Sequence, residues 1–187
     1  MSSVLTAPTP KLLTAAEFGQ RHQNDRVELI DGHVVETPMA GYNHGKLTLL
    51  IGGAILQWIT EHDLGTAATN DAFIQTRTDP DRVRGADVCY YSFDRLPRGS
   101  DEPPVMVIPP DLVVEVRSPS DRMPDLIAKA AEYLAADVRA VILVSPDQQL
   151  MTVYRIAQEP QVFTRTDTLT LPDILPGFTF PVARLFA

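Results

Sequence analysis

Pro110-Asp111-Leu112-Val113-Val114-Glu115-Val116-Arg117-Ser118-Pro119-Ser120-Asp121 is the stretch that decides how this chain folds. The run from Asp111 to Val116 is almost wholly apolar and bounded by prolines, which is the pattern of a short buried strand. Glu115 interrupts it. A lone carboxylate in a low-dielectric interior is costly, so such a group is paired, protonated or bound to metal. Strand alternation puts Val113, Glu115 and Arg117 on one face. Two accounts follow: a Glu115–Arg117 ion pair at a sheet edge, or a functional site. On the first, Arg117→Met would lower stability, because Glu115 would lose a neighbouring positive charge.

Downstream, Pro124 to Ala136 reads as a helix with Leu126, Ile127, Ala130, Ala131 and Leu134 along one side. Lys129 lies near that stripe without being on it. Asp125 stands four residues before it, so a solvated i, i+4 pair is the simplest account of Lys129. Arg139–Ser145 and Leu150–Arg155 read as strands around a Pro146-Asp147 turn. The end of the chain, LPDILPGFTFPVARLFA from Leu171, carries three prolines and is expected to lie against the core as an irregular tail.

Upstream, Gly85-Ala86-Asp87-Val88-Cys89-Tyr90-Tyr91 reads as a strand with Asp87, Cys89 and Tyr91 on one face. Asp87 is either a turn or capping residue after Gly85 or, if its strand neighbours 111–116, a partner for Glu115. Two carboxylates with water and a substrate phosphate make a usual Mg²⁺ site. Residues 92–110 hold five prolines and no period, so a functional or mobile loop is expected there. Strands are expected near 66–69 and 72–77, with Gly65 as the stop of a preceding helix. That helix, Asn43 to His62, is the clearest element: Leu47, Leu50, Ile51, Ala54, Ile55, Trp58 and Ile59 form one continuous face. His44 at its start reads as a capping or packing residue. Asp31-Gly32 between apolar runs predicts a hairpin with strands at 26–30 and 33–36, and alternation turns Glu28 to an exposed face. A helix over Ala15–Gln20 is capped by Thr14, behind a frayed lead-in at residues 1–13.

The bulk numbers set limits. A chain of 187 residues, 44% apolar and 21% charged, suits one globular domain spanning 1–187. A net charge of −8 argues against a protein that coats nucleic acid through phosphate neutralisation. It leaves room for an enzyme with a local basic patch and metal ions. One cysteine, Cys89, excludes an internal disulfide. The start MSSVLTAPTPK has no signal-peptide pattern, and no apolar run reaches the roughly 18 residues of a membrane span. A cytoplasmic location without a membrane partner is therefore expected. No G-x-S-x-G, H-E-x-x-H or P-loop is present, which weakens other hydrolase classes.

The order of the pieces resembles a known family. RVELIDGHVVETP, GYNHGKLTLLIGGAILQWI, GADVCYYS, PDLVVEVRSPSD, LIAKAAEYL and LPGFTFPVARLF occur in the order found in the Uma-type family of bacterial restriction-endonuclease-like proteins, a branch of the PD-(D/E)XK nuclease superfamily. VVEVRSPSD is the most specific of these, and Ala86-Asp87 departs from the family's usual Pro-Asp. The resemblance implies an α/β (α+β) fold, a central mixed β-sheet flanked by helices. It implies a Mg²⁺- or Mn²⁺-dependent endonuclease acting on nucleic acid, DNA above all. Asp87 and Glu115 match the metal ligands and Lys129 the catalytic cation, displaced from the usual position now held by Arg117. Glu28 matches an early acidic residue. Arg117 and His44 are accessory candidates, and a homodimer is the expected assembly. The alternative is a nuclease fold without catalysis that binds nucleic acid or a protein partner.

Overall fold

The computed structural model describes residues 11–187; most of the lead-in, residues 1–10, lies outside them. Helix α1 (Ala15–His22) starts on a capping box in which Thr14 and Glu17 satisfy each other's backbone N–H groups. Strands β1 (Val27–Ile30) and β2 (His33–Glu36) form the predicted hairpin, with Asp31 and Gly32 both at positive φ. Helix α2 (Tyr42–Glu61) follows. Its buried stripe is Leu47, Ile51, Ile55 and Ile59, narrower than the sequence pattern: Leu50 is 39% exposed.

Gly65 does not stop the helix alone; it opens β3 (Gly65–Arg77), one long strand with a bulge at Asn70-Asp71 where two strands were expected. A side chain at Gly65 would collide with the Tyr91 carbonyl, so the close approach to β4 (Arg82–Ser92) needs glycine. After β5 (Leu112–Val116) come α3 (Met123–Ala135), β6 (Ala140–Ser145), β7 (Leu150–Tyr154) and β8 (Gln161–Thr164). The sheet runs β2-β1-β4-β5-β6-β7-β8, with β3 also on β4. It is mostly antiparallel, and β5–β6 is parallel across α3.

One layer of core lies between the sheet and α2, built on Ile51, Ile55, Val88, Val114, Val116 and Ile142. The other lies under α3, built on Cys89, Tyr91, Val113, Leu126, Ala130 and Tyr133. The α3 stripe is rotated from its sequence reading. Leu126, Ala130 and Tyr133 are buried, whereas Ile127 is 41% exposed. The rotation turns Lys129 and Tyr133 inward, where their polar tips find partners.

Two further expectations are corrected. The terminal segment is a ribbon of β9 (Thr168–Leu171) and β10 (Leu175–Pro181) ending in a 3₁₀ turn, Val182–Arg184. It buries Leu169, Leu171, Phe178, Phe180 and Val182 in the core layer that α2 covers. Its prolines misled because a two-stranded ribbon consists of edges, where a missing N–H is tolerated, and Pro176-Gly177 falls in the bulge. The 92–110 segment is pinned. Met106 exchanges backbone hydrogen bonds with Phe73 and Gln75, Leu96 and Val105 are buried, and Arg95 bonds the Pro109 and Asp137 carbonyls. No helix among the described residues is long and apolar enough to cross a membrane.

Candidate active site

Strand β4 changes partner along one edge. Near its start Val83 pairs with Leu29 of β1; further on Val88, Cys89 and Tyr90 pair with Val114, Val113 and Leu112 of β5. Between these two ladders the backbone of β4 has no strand beside it on that edge among the described residues, and buried peptide groups need partners. Side chains supply them. Gly85 N–H donates to Glu28 Oε1 (3.2 Å), and the Gly85 carbonyl accepts from Lys129 Nζ (2.9 Å) and the Tyr133 hydroxyl (3.3 Å). Across the gap Val116 N–H donates to Asp87 Oδ2 (2.6 Å). The fork in the sheet thus collects Glu28, Asp87, Glu115, Lys129 and Tyr133 at one place. Gly85 fits there because Asp71 of the β3 bulge lies against its Cα; a methyl group would meet the Asp71 Cβ at 3.0 Å.

The strands carrying Asp87 and Glu115 are therefore neighbours, which sequence separation alone could not tell. Glu115 is buried. Its Oε2 accepts from Lys129 (3.0 Å) and its Oε1 from Tyr133 (3.0 Å). Lys129 also reaches Glu28 Oε1 at 3.1 Å. The ammonium thus donates hydrogen bonds to Gly85 O and Glu115 and stands in ionic contact with Glu28, which leaves its third proton for another acceptor. The surface pair with Asp125 does not form; Asp125 lies near Arg122 instead. Glu28 is equally far from the exposed strand face expected for it. It is held by Arg84 (2.7 Å) as well as Lys129. His44, on the first turn of α2, places Nε2 3.1 Å from Asp87 Oδ2.

Arg117 departs from its expected role. Its guanidinium turns to Asp147 (2.7 Å) and the Asp121 carbonyl (3.3 Å), away from Glu115, because Lys129 already satisfies that carboxylate. The stability argument for Arg117→Met therefore fails. With Asp147 58% exposed, the substitution should cost less than about 1 kcal/mol, the usual range for a surface pair. Urea or thermal melts of the variant check this.

Electrostatics follow from the crowding. Burial pushes the Glu115 carboxyl up to about 8; Lys129 pulls it down, and Asp87 and Glu28 push it up again. Burial opposes the charge on Lys129, but attraction to Glu115 and Glu28 outweighs it, so the ammonium is held more tightly than usual. Glu28 is desolvated too, yet Lys129 and Arg84 bring it below the ordinary carboxylate value. The hydrogen bond to Asp87 raises His44. Burial and then the Asp87 charge raise Asp71. Sequence reasoning missed Asp71, Arg84 and Tyr133: a bulge, a fork and a rotated helix face have no local signature.

These shifts have a sign. Glu115, His44 and Asp71 each bind protons more tightly folded than unfolded. The stability they contribute is present at low pH and is lost as pH rises, for Glu115 between its ordinary 4.5 and about 8. Glu28 and Glu132 have lowered values and titrate below that window. The thermal midpoint of the metal-free protein should accordingly fall between pH 5.5 and pH 8. Millimolar Mn²⁺ should restore more of it at pH 8 than at pH 5.5. A midpoint that rises over this interval would contradict the assignment.

The cluster lies in an open cleft of about 930 Å³, walled by α2 (Gly45, Leu49, Gly52), the segment after β2 and the 118–129 segment. Among the described residues no group of three or more His, Cys, Asp or Glu forms a ready-made metal cage. The donor set fits a hard divalent cation in another way. Among the described residues, both hydrogen bonds to the Asp87 carboxylate fall on Oδ2, leaving Oδ1 without one. Glu115 is a buried acid among other acids, stabilised by added positive charge. Mg²⁺ commonly binds through one or two carboxylates, with water and phosphate oxygens completing its shell.

Comparison with known proteins agrees with the resemblance. A search of curated proteins gives no match. Among solved structures, the crystal structure of "a putative nuclease belonging to DUF820" from Anabaena variabilis superposes with a TM-score of 0.80. It is 20% identical and covers 93% of this chain and 97% of its own; that likeness carries the fold. Residues 12–183 match the Uma2 family, described as "Putative restriction endonuclease". With so much of its length matched, this chain belongs to the Uma2 restriction-endonuclease family.

Proposed function

We propose that the protein is a Mg²⁺- or Mn²⁺-dependent nuclease that hydrolyses phosphodiester bonds, with DNA the first substrate to test. The observation that carries this reading is the buried strand carboxylate Glu115, bound to the partly buried Lys129 ammonium beside Asp87 at the edge of an open cleft. Asp87 and Glu115 would hold the cation; when bound, it supplies positive charge to the scissile phosphate and acidifies water beside it.

The side chains have separable tasks. Val116 N–H and His44 fix Asp87 through Oδ2 and leave Oδ1 to the cleft. Tyr133 fixes the rotamer of Glu115. Lys129 keeps its proton near neutral pH, so it serves as a fixed positive charge and hydrogen-bond donor to phosphate oxygens, not as a general base. Glu28 steadies the ammonium from the far side. Arg117, bound to Asp147, has no part in the chemical step.

The test is purified protein incubated with supercoiled plasmid, linear duplex, single-stranded DNA and RNA, in millimolar Mg²⁺ or Mn²⁺ and in EDTA. Cutting of at least one substrate, stopped by EDTA and lost in Asp87→Asn, is expected. A folded protein that binds nucleic acid and cuts none of these would favour the non-catalytic module.

A further inference from the structure

Arg84 bridges the candidate site to a structural anchor. Its Nε and Nη2 form a fork on Glu132 of α3, at 3.0 and 2.7 Å to the two carboxylate oxygens. Glu132 is itself held by Arg82 (2.9 Å) and by the Thr76 hydroxyl. A bidentate arginine–carboxylate pair fixes the plane of the guanidinium. Its remaining nitrogen, Nη1, then points at Glu28 Oε2, 2.7 Å away.

This leaves Glu28 divided. Oε2 belongs to Arg84, and Oε1 serves Gly85 N–H and Lys129. Lys129 stands almost midway between its two carboxylates, 3.1 Å from Glu28 and 3.0 Å from Glu115. That balance needs an explanation, because a buried carboxylate and a partly buried one compete for one ammonium. If Glu28 had no second cation, its full charge would face Lys129.

We propose that Arg84 is a positioning residue of this site: by taking one oxygen of Glu28 it keeps the Lys129 ammonium on Glu115, where a substrate phosphate can meet it, instead of letting Glu28 draw it away. The catalytic value of that placement rests on the nuclease reading; the placement itself does not. Partners that orient a site's charged groups are commonly worth about 10- to 100-fold in activity.

The chain has three lysines, Lys11, Lys46 and Lys129. Protein labelled with ¹⁵N-lysine therefore gives few side-chain ammonium signals, and Lys129→Met assigns the one of interest. In Arg84→Met the Lys129 signal should shift or broaden while those of Lys11 and Lys46 stay in place. In Glu132→Gln, which removes the anchor's charge but keeps an oxygen that can accept from the guanidinium and so leaves it beside Glu28, it should stay near its wild-type position although the thermal midpoint falls. Arg84→Lys, which keeps a cation there, should restore it substantially. In cleavage assays Arg84→Met should lower kcat by about 10- to 100-fold with little change in KM, and Glu132→Gln should change kcat only a few-fold. Should Arg84→Met fail to fold, Arg84→Gln replaces it in the same comparison. An unmoved Lys129 signal, or kcat losses in both variants that merely follow their loss of stability, would overturn the proposal. If the wild-type protein cuts nothing, the nuclease reading fails and the ammonium signals still decide the role of Arg84.

Discussion

Lys129→Met should slow phosphodiester cleavage by roughly 10²- to 10³-fold, the loss typical when one preorganised donor to a developing charge is removed. Methionine keeps most of the length and packing of the side chain, so α3 should remain seated through Leu126, Ala130 and Tyr133. What disappears is a largely buried charge that donates to Gly85 O and Glu115 and pairs with Glu28. Glu115, already pushed up to about 8 by burial, would rise further without its ammonium. A metal ion must displace that proton, so Mn²⁺ affinity should weaken near pH 7 and recover as the pH is raised. Cleavage should not recover with it. Arg117→Met, tested in parallel, should keep activity within a few-fold. Full activity in Lys129→Met would remove Lys129 from the mechanism, and equal losses in both variants would contradict the separation of their roles.

Glu115→Gln should abolish cutting without unfolding the chain. Glutamine keeps an oxygen that can accept from Tyr133 or Lys129 and is close in shape to the protonated carboxyl that burial favours. Lys129 retains Glu28 and the Gly85 carbonyl. The midpoint at pH 6 should therefore stay near that of wild type. Removing the group also removes its titration, so the fall in stability from pH 5.5 to 8 should become shallower. Melts of both proteins at the two pH values read this directly. A steeper fall in the variant would mean that another group causes the dependence.

Much of the fold was legible because it rests on local periodicity. The α2 stripe, the Asp31-Gly32 hairpin and the 112–116 strand each carry a repeat or a turn pair that sequence displays. The ribbon at 168–181 was not legible, since Pro172, Pro176 and Pro181 read as breakers until one sees that they fall at a turn, a bulge and a strand end. The site was legible in its charges and not in its pairings. Glu115 stands out as an acid among branched apolar residues, whatever its partner. That its partner is Lys129 and not Arg117 depends on how α3 is rotated over the sheet, and Ile127 disguised that rotation. Glu28 looked exposed because alternation supposes a continuous sheet. The sheet forks at Gly85, and a fork is set by which strands meet, a property of distant segments.

The central claim is that Asp87 and Glu115 form one divalent-cation site at that fork. Calorimetric titration of Mn²⁺ into wild-type protein and Asp87→Asn at pH 8 tests it most directly. The account predicts a single saturable site in the wild type and binding weaker by at least about tenfold in the variant, the lower end of what even indirect contributors to a metal site cost. Equal Mn²⁺ binding by the two proteins, or none by the wild type, would contradict it.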